Sequence, residues 1–135
     1  MASVLFKTPS EVLSFWFGNE FSVDSDCVHQ VSYIKSRMPL WFSRSSSEFD
    51  STQVANAPLL ELLISDDGFD DAIWNSPKGL FAKILILDQF PRSIYRGTSK
   101  AFSFDSIAVS HAKKIVENEW YLSEFSAIER LFIIL

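Results

Sequence analysis

GLFAKILILDQFPRSIYRGTSKAFSFD, residues 79–105, is the stretch on which the fold turns. Its first third is almost wholly apolar, and from Leu80 to Leu87 only Lys83 is polar. Ser76-Pro77 just ahead of it is a helix start. The hydroxyl caps, and the proline's missing N–H falls where a helix has no use for one. A helix carrying Leu80, Phe81, Ala82, Ile84, Leu85, Ile86 and Leu87 is apolar on every side, so it belongs at the centre with other elements around it. Ile84 to Leu87 would also suit a buried parallel strand. Leu and Ala favour helix, however, and no other segment reads as a partner strand. The helix is expected to run to about Gln89 and to break at Pro91. Gly97 closes the turn that follows, where a positive φ is expected.

Outward from this centre the remaining segments read as helices. Thr8-Pro9-Ser10-Glu11 is a capping box with proline at the first helical position. The helix it opens runs through Phe17, stops at Gly18, and is apolar enough at Val12, Leu13, Phe15, Trp16 and Phe17 to be largely buried. Val28, Val31, Ile34 or Lys35, and Met38 recur at helical spacing, which predicts an amphipathic helix over about 27–37 that Pro39 ends. Leu40-Trp41-Phe42 follows as an aromatic cluster, then a serine-rich linker from Ser43 to Ser47. Asp50 or Ser51 caps a helix with Val54, Leu59, Leu60, Leu62 and Leu63 as its apolar positions, and Pro58 should kink or split it near Ala57. Beyond the central stretch, Ser103 is expected to cap a helix with Asp105 near its positive end. Its stripe is Phe104, Ile107, Ala108, His111, Ala112, Ile115 and Val116, and Asn118 ends it. Ser126 with Glu129 is a second capping box, opening a helix that should set Leu131, Phe132 and Ile134 on the central one. The expected fold is all-α: antiparallel helical hairpins around a central apolar helix, in one domain spanning 1–135.

Composition excludes several function classes. A hydrophobic fraction of 47%, with 13 Phe and 4 Trp, rules out a disordered chain. A net charge of −5 builds no basic stripe for phosphates, so no nucleic-acid partner is expected. Cys27 is the only cysteine, so no internal disulfide forms, and with His29 and His111 far apart in sequence no zinc cluster is expected. The longest apolar run, about eight residues, is well short of the roughly 20 a membrane span needs, and the N-terminus lacks a secretory h-region. These features predict a cytoplasmic protein without a membrane partner. No P-loop, GxGxxG, GxSxG or HExxH is present, so neither a cofactor nor a metal is expected.

The residues with chemistry in them follow the central helix: Asp88, Gln89, Arg92, Tyr95 and Arg96. Continued helically, Asp88, Arg92 and Arg96 lie at i, i+4 and i+8 on one face. Asp88 is expected to pair with Arg92 or Arg96, since an unpaired carboxylate after an apolar helix is costly. One reading makes the pair a structural tether for the turn. The other makes the two guanidiniums and Tyr95 a site for a carboxylate or phosphate. His111, on an apolar stripe with no nucleophile motif, reads as a core histidine, Cys27 as inert, and the four tryptophans as core anchors.

The stretch resembles the family known as domain of unknown function 924. Its pattern, an apolar helix followed by LDQFPRN-YRGT and then A-F-x-x-D, is met at Leu87, Asp88, Gln89, Phe90, Pro91, Arg92, Tyr95, Arg96, Gly97, Thr98, Ala101, Phe102 and Asp105. Ser93 stands where asparagine is usual. Flanking marks at Trp16, Trp41, Trp74, Pro77, Gly79, Glu129 and Phe132 extend the resemblance over most of the chain. The resemblance implies a tetratricopeptide-like helical fold and brings no reaction with it. It also implies a Pro-x-x-His-Ser-Glu stretch and further helices after the Glu129-Arg130 segment, so the domain is expected to be C-terminally incomplete. Its apolar end, Leu131 to Leu135, is then expected to support self-association. The functional expectation is a protein- or peptide-binding module. The alternative is an enzyme or a small anionic-ligand binder using Asp88, Arg92, Tyr95 and Arg96.

Overall fold

The Ser76-Pro77 start behaves as its chemistry requires. In a computed structural model, which describes residues 5–18, 31–42, 48–64, 72–125 and 127–134, the Ser76 hydroxyl accepts from the Gly79 N–H at 3.1 Å and the central helix α5 runs Pro77–Asp88. The regular elements among the described residues are helical, with no strand. Before α5 come α1 (Pro9–Phe17), α2 (Val31–Phe42), α3 (Glu48–Ala55) and α4 (Ala57–Ile64). After it come α6 (Phe90–Ile94), a 3₁₀ turn at Ser99–Phe102, α7 (Asp105–Glu117), α8 (Trp120–Ser123) and α9 (Ala127–Ile134). The fold is all-α. No helix among the described residues is long and apolar enough to cross a membrane.

Every residue of α5 from Gly79 to Asp88 is buried, as a helix apolar on all sides must be. α1, α4, α6, α7 and α9 surround it. Asp88 lies beside Asp105, and Lys83 beside His111, so α5 and α7 run antiparallel as a hairpin. Phe132 of α9 fits between the rings of Trp16, Phe17 and Trp41, 5.4, 6.0 and 4.9 Å away between centroids and near edge-on in each case. Such tilted pairs add roughly 0.5–1.5 kcal/mol each to the area they bury. In α9, Ile133 is buried with Phe132, whereas Leu131 is 41% exposed. The Ile134 side chain and Ser126 lie outside the described ones.

α1 starts on its capping box. Thr8 Oγ1 accepts from the Glu11 N–H at 3.2 Å, and the Glu11 carboxylate reaches back to the Lys7 N–H at 3.3 Å. Gly18 stops the helix with φ +94°. The carbonyls of its last turn have no helical partner, and α2 supplies one. Tyr33, Arg37 and Trp41, spaced i, i+4, i+8, donate to the carbonyls of Phe17 (2.7 Å), of Phe15 (3.0 Å) and Trp16, and of Trp16 (2.9 Å) respectively. That ladder corrects two expectations. The stripe that faces inward runs through Tyr33 and Trp41, and Met38 is 47% exposed. Pro39 lies inside α2, which continues to Phe42 because Trp41 is anchored on α1. The expected start of this helix near residue 27 falls outside the described residues, as does the serine linker.

Pro58 splits its segment as expected: α3 ends at Ala55 and α4 begins at Ala57. Asn56 in the break is fully buried. It accepts from the Phe6 N–H at 2.8 Å and donates to the Thr52 carbonyl at 2.9 Å. Val54 and Leu62, expected among the apolar positions of this segment, are 44% and 48% exposed. α3 is already under way at Glu48, so neither Asp50 nor Ser51 is its cap. Nor does Ser103 cap α7. Its hydroxyl donates to the Lys100 carbonyl at 2.8 Å to close the 3₁₀ turn, and the helix starts at Asp105. Val116, expected in the buried stripe of α7, is 55% exposed. Gly97 has φ +82°.

Gly79 is the close approach on which α5 depends. A Cβ there would sit 2.2 Å from the Ile73 carbonyl oxygen and 2.6 Å from the Trp74 backbone, neither of which can yield cheaply. Gly79→Ala is expected to destabilise the chain by about 1–3 kcal/mol, the usual range for overpacking a buried site. Urea unfolding followed by circular dichroism measures this, and Gly97→Ala would report separately the strain of a left-handed position, about 1–2 kcal/mol.

Candidate functional site at the junction of the central helix

α5 ends at Asp88, but the chain does not turn away. Gln89 stays near-helical at φ −95° and ψ −42°, and α6 begins at once with Pro91 in its first turn. The consequence is that Arg92 remains one turn from Asp88. Its Nη2 lies 3.3 Å from Asp88 Oδ1 and its Nε donates to the Asp88 carbonyl at 3.0 Å. Gln89 Nε2 donates to the other carboxylate oxygen. The buried Asp88 therefore has donors on both oxygens, and the outer face of the Arg92 guanidinium lies 4.8 Å over the Phe102 ring.

Asp105, in the first turn of α7, completes this corner. Its Oδ1 is buried and has no hydrogen-bond partner. Burial raises its pKa above the usual carboxylate value, the neighbouring Asp88 charge raises it further, Arg92 pulls it back in part, and a side-chain hydrogen bond shared with Asp88 adds to the rise. Two carboxyls and one guanidinium thus share the junction of three helices. Arg96 and Tyr95 do not join them. α6 stops at Ile94, so the i+8 register that would have carried Arg96 round to Asp88 is lost, and Arg96 is exposed. The Tyr95 hydroxyl donates to Glu61 of α4 at 3.2 Å, and the Lys100 ammonium sits 4.5 Å over its ring. Of the five residues read from the sequence, Asp88, Gln89 and Arg92 come together, Tyr95 faces α4, and Arg96 is exposed outside that corner.

A second polar position lies further along the same hairpin. Lys83, buried on α5, donates to Asn75 at 3.0 Å. Across it, His111 holds Nδ1 buried without a hydrogen-bond partner. Burial, then Lys83 and Lys114, lower its pKa to about 4, so the imidazole is neutral near pH 7. At the other end of α5, Lys78 pairs with the fully buried Glu129 at 2.6 Å. Among the described residues no group of three or more His, Cys, Asp or Glu is placed to hold a metal. Sequence reading missed Asp105 as a site residue, although it stands in the motif. The signal was arithmetic: an antiparallel return after Asp88 brings the start of α7 back to the end of α5.

The chain belongs to the family described as a bacterial protein of unknown function, DUF924, whose model matches residues 12–135. No curated protein and no solved structure matches it.

Two titrations follow. Asp105 has a raised folded pKa, so its ionisation works against the fold, and that cost is absent where it is protonated in both states, below about pH 3.8. Asp105→Asn is expected to stabilise the chain at neutral pH, with the gain vanishing as pH falls toward 3. His111 has a lowered pKa, so the unfolded chain takes up the extra proton between pH 6.5 and about 4, and stability is lost as pH falls through that window. His111→Gln should flatten the acid limb there. Denaturant midpoints across pH test both, and unchanged profiles would contradict them.

Proposed function

We propose that the domain is a protein- or peptide-binding module that works through the outer face of α7. One observation carries the reading. Phe102, Val109 and Val116 follow one another at intervals of seven residues and are 54%, 50% and 55% exposed. Single exposed apolar residues are ordinary. A repeat of seven is different, because it keeps Val109 and Val116 on one line of the helix, the spacing by which one helix recognises another. The pairing of Asp88 with Gln89 and Arg92 supports the same reading, since it gives the polar corner a structural task. Peptides selected from a displayed library against the whole chain are expected to lose at least about tenfold in affinity, roughly 1.4 kcal/mol, on Val109→Asp/Val116→Asp. Selected peptides that bind both proteins equally would sink the proposal.

A second reading, a small-ligand site or enzyme at the Asp88 corner, is favoured by the unpartnered Oδ1 of Asp105. Two carboxyls and a committed Arg92 suit a ligand that donates hydrogen bonds, an amine or hydroxyl, better than an anion. Thermal shifts with small amines that disappear in Asp105→Asn would support it.

A further inference from the structure

We infer that the α7 face takes an amphipathic helix carrying a carboxylate opposite Lys113, an inference that rests on the binding-module reading and names the chemistry of its partner. Lys113 stands four residues after Val109 and three before Val116, so it occupies the middle of the same exposed line. Val109 and Val116 are about 10 Å apart along the axis, two turns at 1.5 Å per residue. A partner helix that sets two apolar side chains on them therefore lies across the ammonium between them. Among the described residues Lys113 makes no hydrogen bond or ion pair, and its side chain is exposed. Lys114, the next residue, is exposed as well but points away from the line that joins Val109 and Val116, so Lys113 is the cation set between the two valines.

A second copy of the chain is the wrong occupant. In a parallel α7 pair each residue faces its own equivalent, so Lys113 meets Lys113. In an antiparallel pair that sets Val109 on the other chain's Val116, the two-fold falls between Ala112 and Lys113, and the ammoniums again come close. Like charges at such an interface select against the pairing. A carboxylate on a different helix satisfies the ammonium and keeps both apolar contacts. Glu117 lies at the edge of the face, one turn on from Lys113. It disfavours a second acidic group there, so the carboxylate belongs beside Lys113 and not in a run along the helix.

The test uses the full chain with three synthetic helical peptides sharing one seven-residue leucine repeat. They differ at the position opposite Lys113, which is Glu, Gln or Lys. Fluorescence anisotropy at low and high salt gives their affinities. The Glu peptide is expected to bind about tenfold tighter than the Lys peptide at low salt, with the gap shrinking as salt screens it. Lys113→Glu should reverse the order, and Val109→Asp/Val116→Asp should remove binding of both. All three substituted positions are exposed, and a melting curve on each variant confirms folding. Equal binding of the Glu and Lys peptides that still needs both valines would overturn the charge inference and leave the module reading standing. No peptide binding that depends on the valines would overturn both. A dimer in light scattering that Val109→Asp/Val116→Asp abolishes would show a second copy to be the occupant, against the inference.

Discussion

A helix buried at every residue from Gly79 to Asp88 can exist only if its surroundings are complete, and this one carries two charges into that position. The apolar residues of α5 ask of their neighbours no more than volume. Lys83 and Asp88 ask for partners, because an uncompensated buried charge costs several kcal/mol. Much of the polar architecture answers that demand. Asn75, just ahead of Ser76, accepts from Lys83. The continuation of α5 into α6, in place of a turn, keeps Arg92 within reach of Asp88. Pro91 is what permits it, since its missing N–H falls in the first turn of α6, where no donor is needed.

The compensation is uneven, and α7 bears the difference. Both of its inward ionisable groups, Asp105 and His111, have pKa values displaced toward their neutral forms, and both have a buried atom without a partner. The causes share an order: burial first, then the charge that α5 holds opposite. For His111 neutrality at physiological pH follows at little cost. For Asp105 it does not, and a neutral amide of the same shape would donate to Asp88 without adding a second charge. The acid there is therefore not explained by stability.

What the sequence revealed and what it hid divide along one line. Features whose cause is local were legible: the Thr8 and Ser76 caps, the Gly18 and Gly97 conformations, the split at Pro58 and the nearly all-apolar run of α5. The features that went astray depend on contacts distant in sequence. Pro39 reads as a helix end until Trp41 is seen fixed to the end of α1, 25 residues earlier. The pairing of Glu129 with Lys78, 51 residues away, left no mark in the local pattern either. The same holds at the junction. Asp88 and Arg92, four residues apart, could be paired on paper, whereas Asp105 needed the hairpin and Arg96 needed the helix to stop at Ile94.

The exposed apolar residues also require this distinction between local pattern and tertiary setting. Val54, Leu62 and Ile64 are also exposed, yet the Asn56 break lies between Val54 and the other two. A partner would have to follow that bend to touch all three, and a straight helix does not. Val109, Lys113 and Val116 lie on one uninterrupted helix that packs against α5 and buries Ala108 and Ile115 on an adjoining face. The rigid central packing that buries one side of α7 thereby holds the other side in register. In the proposed binding module, a surface so held leaves little ordering to be done on association, which is where binding energy is otherwise lost. The same constraint that forces charges into the core thus also presents a straight, preorganised face to solvent.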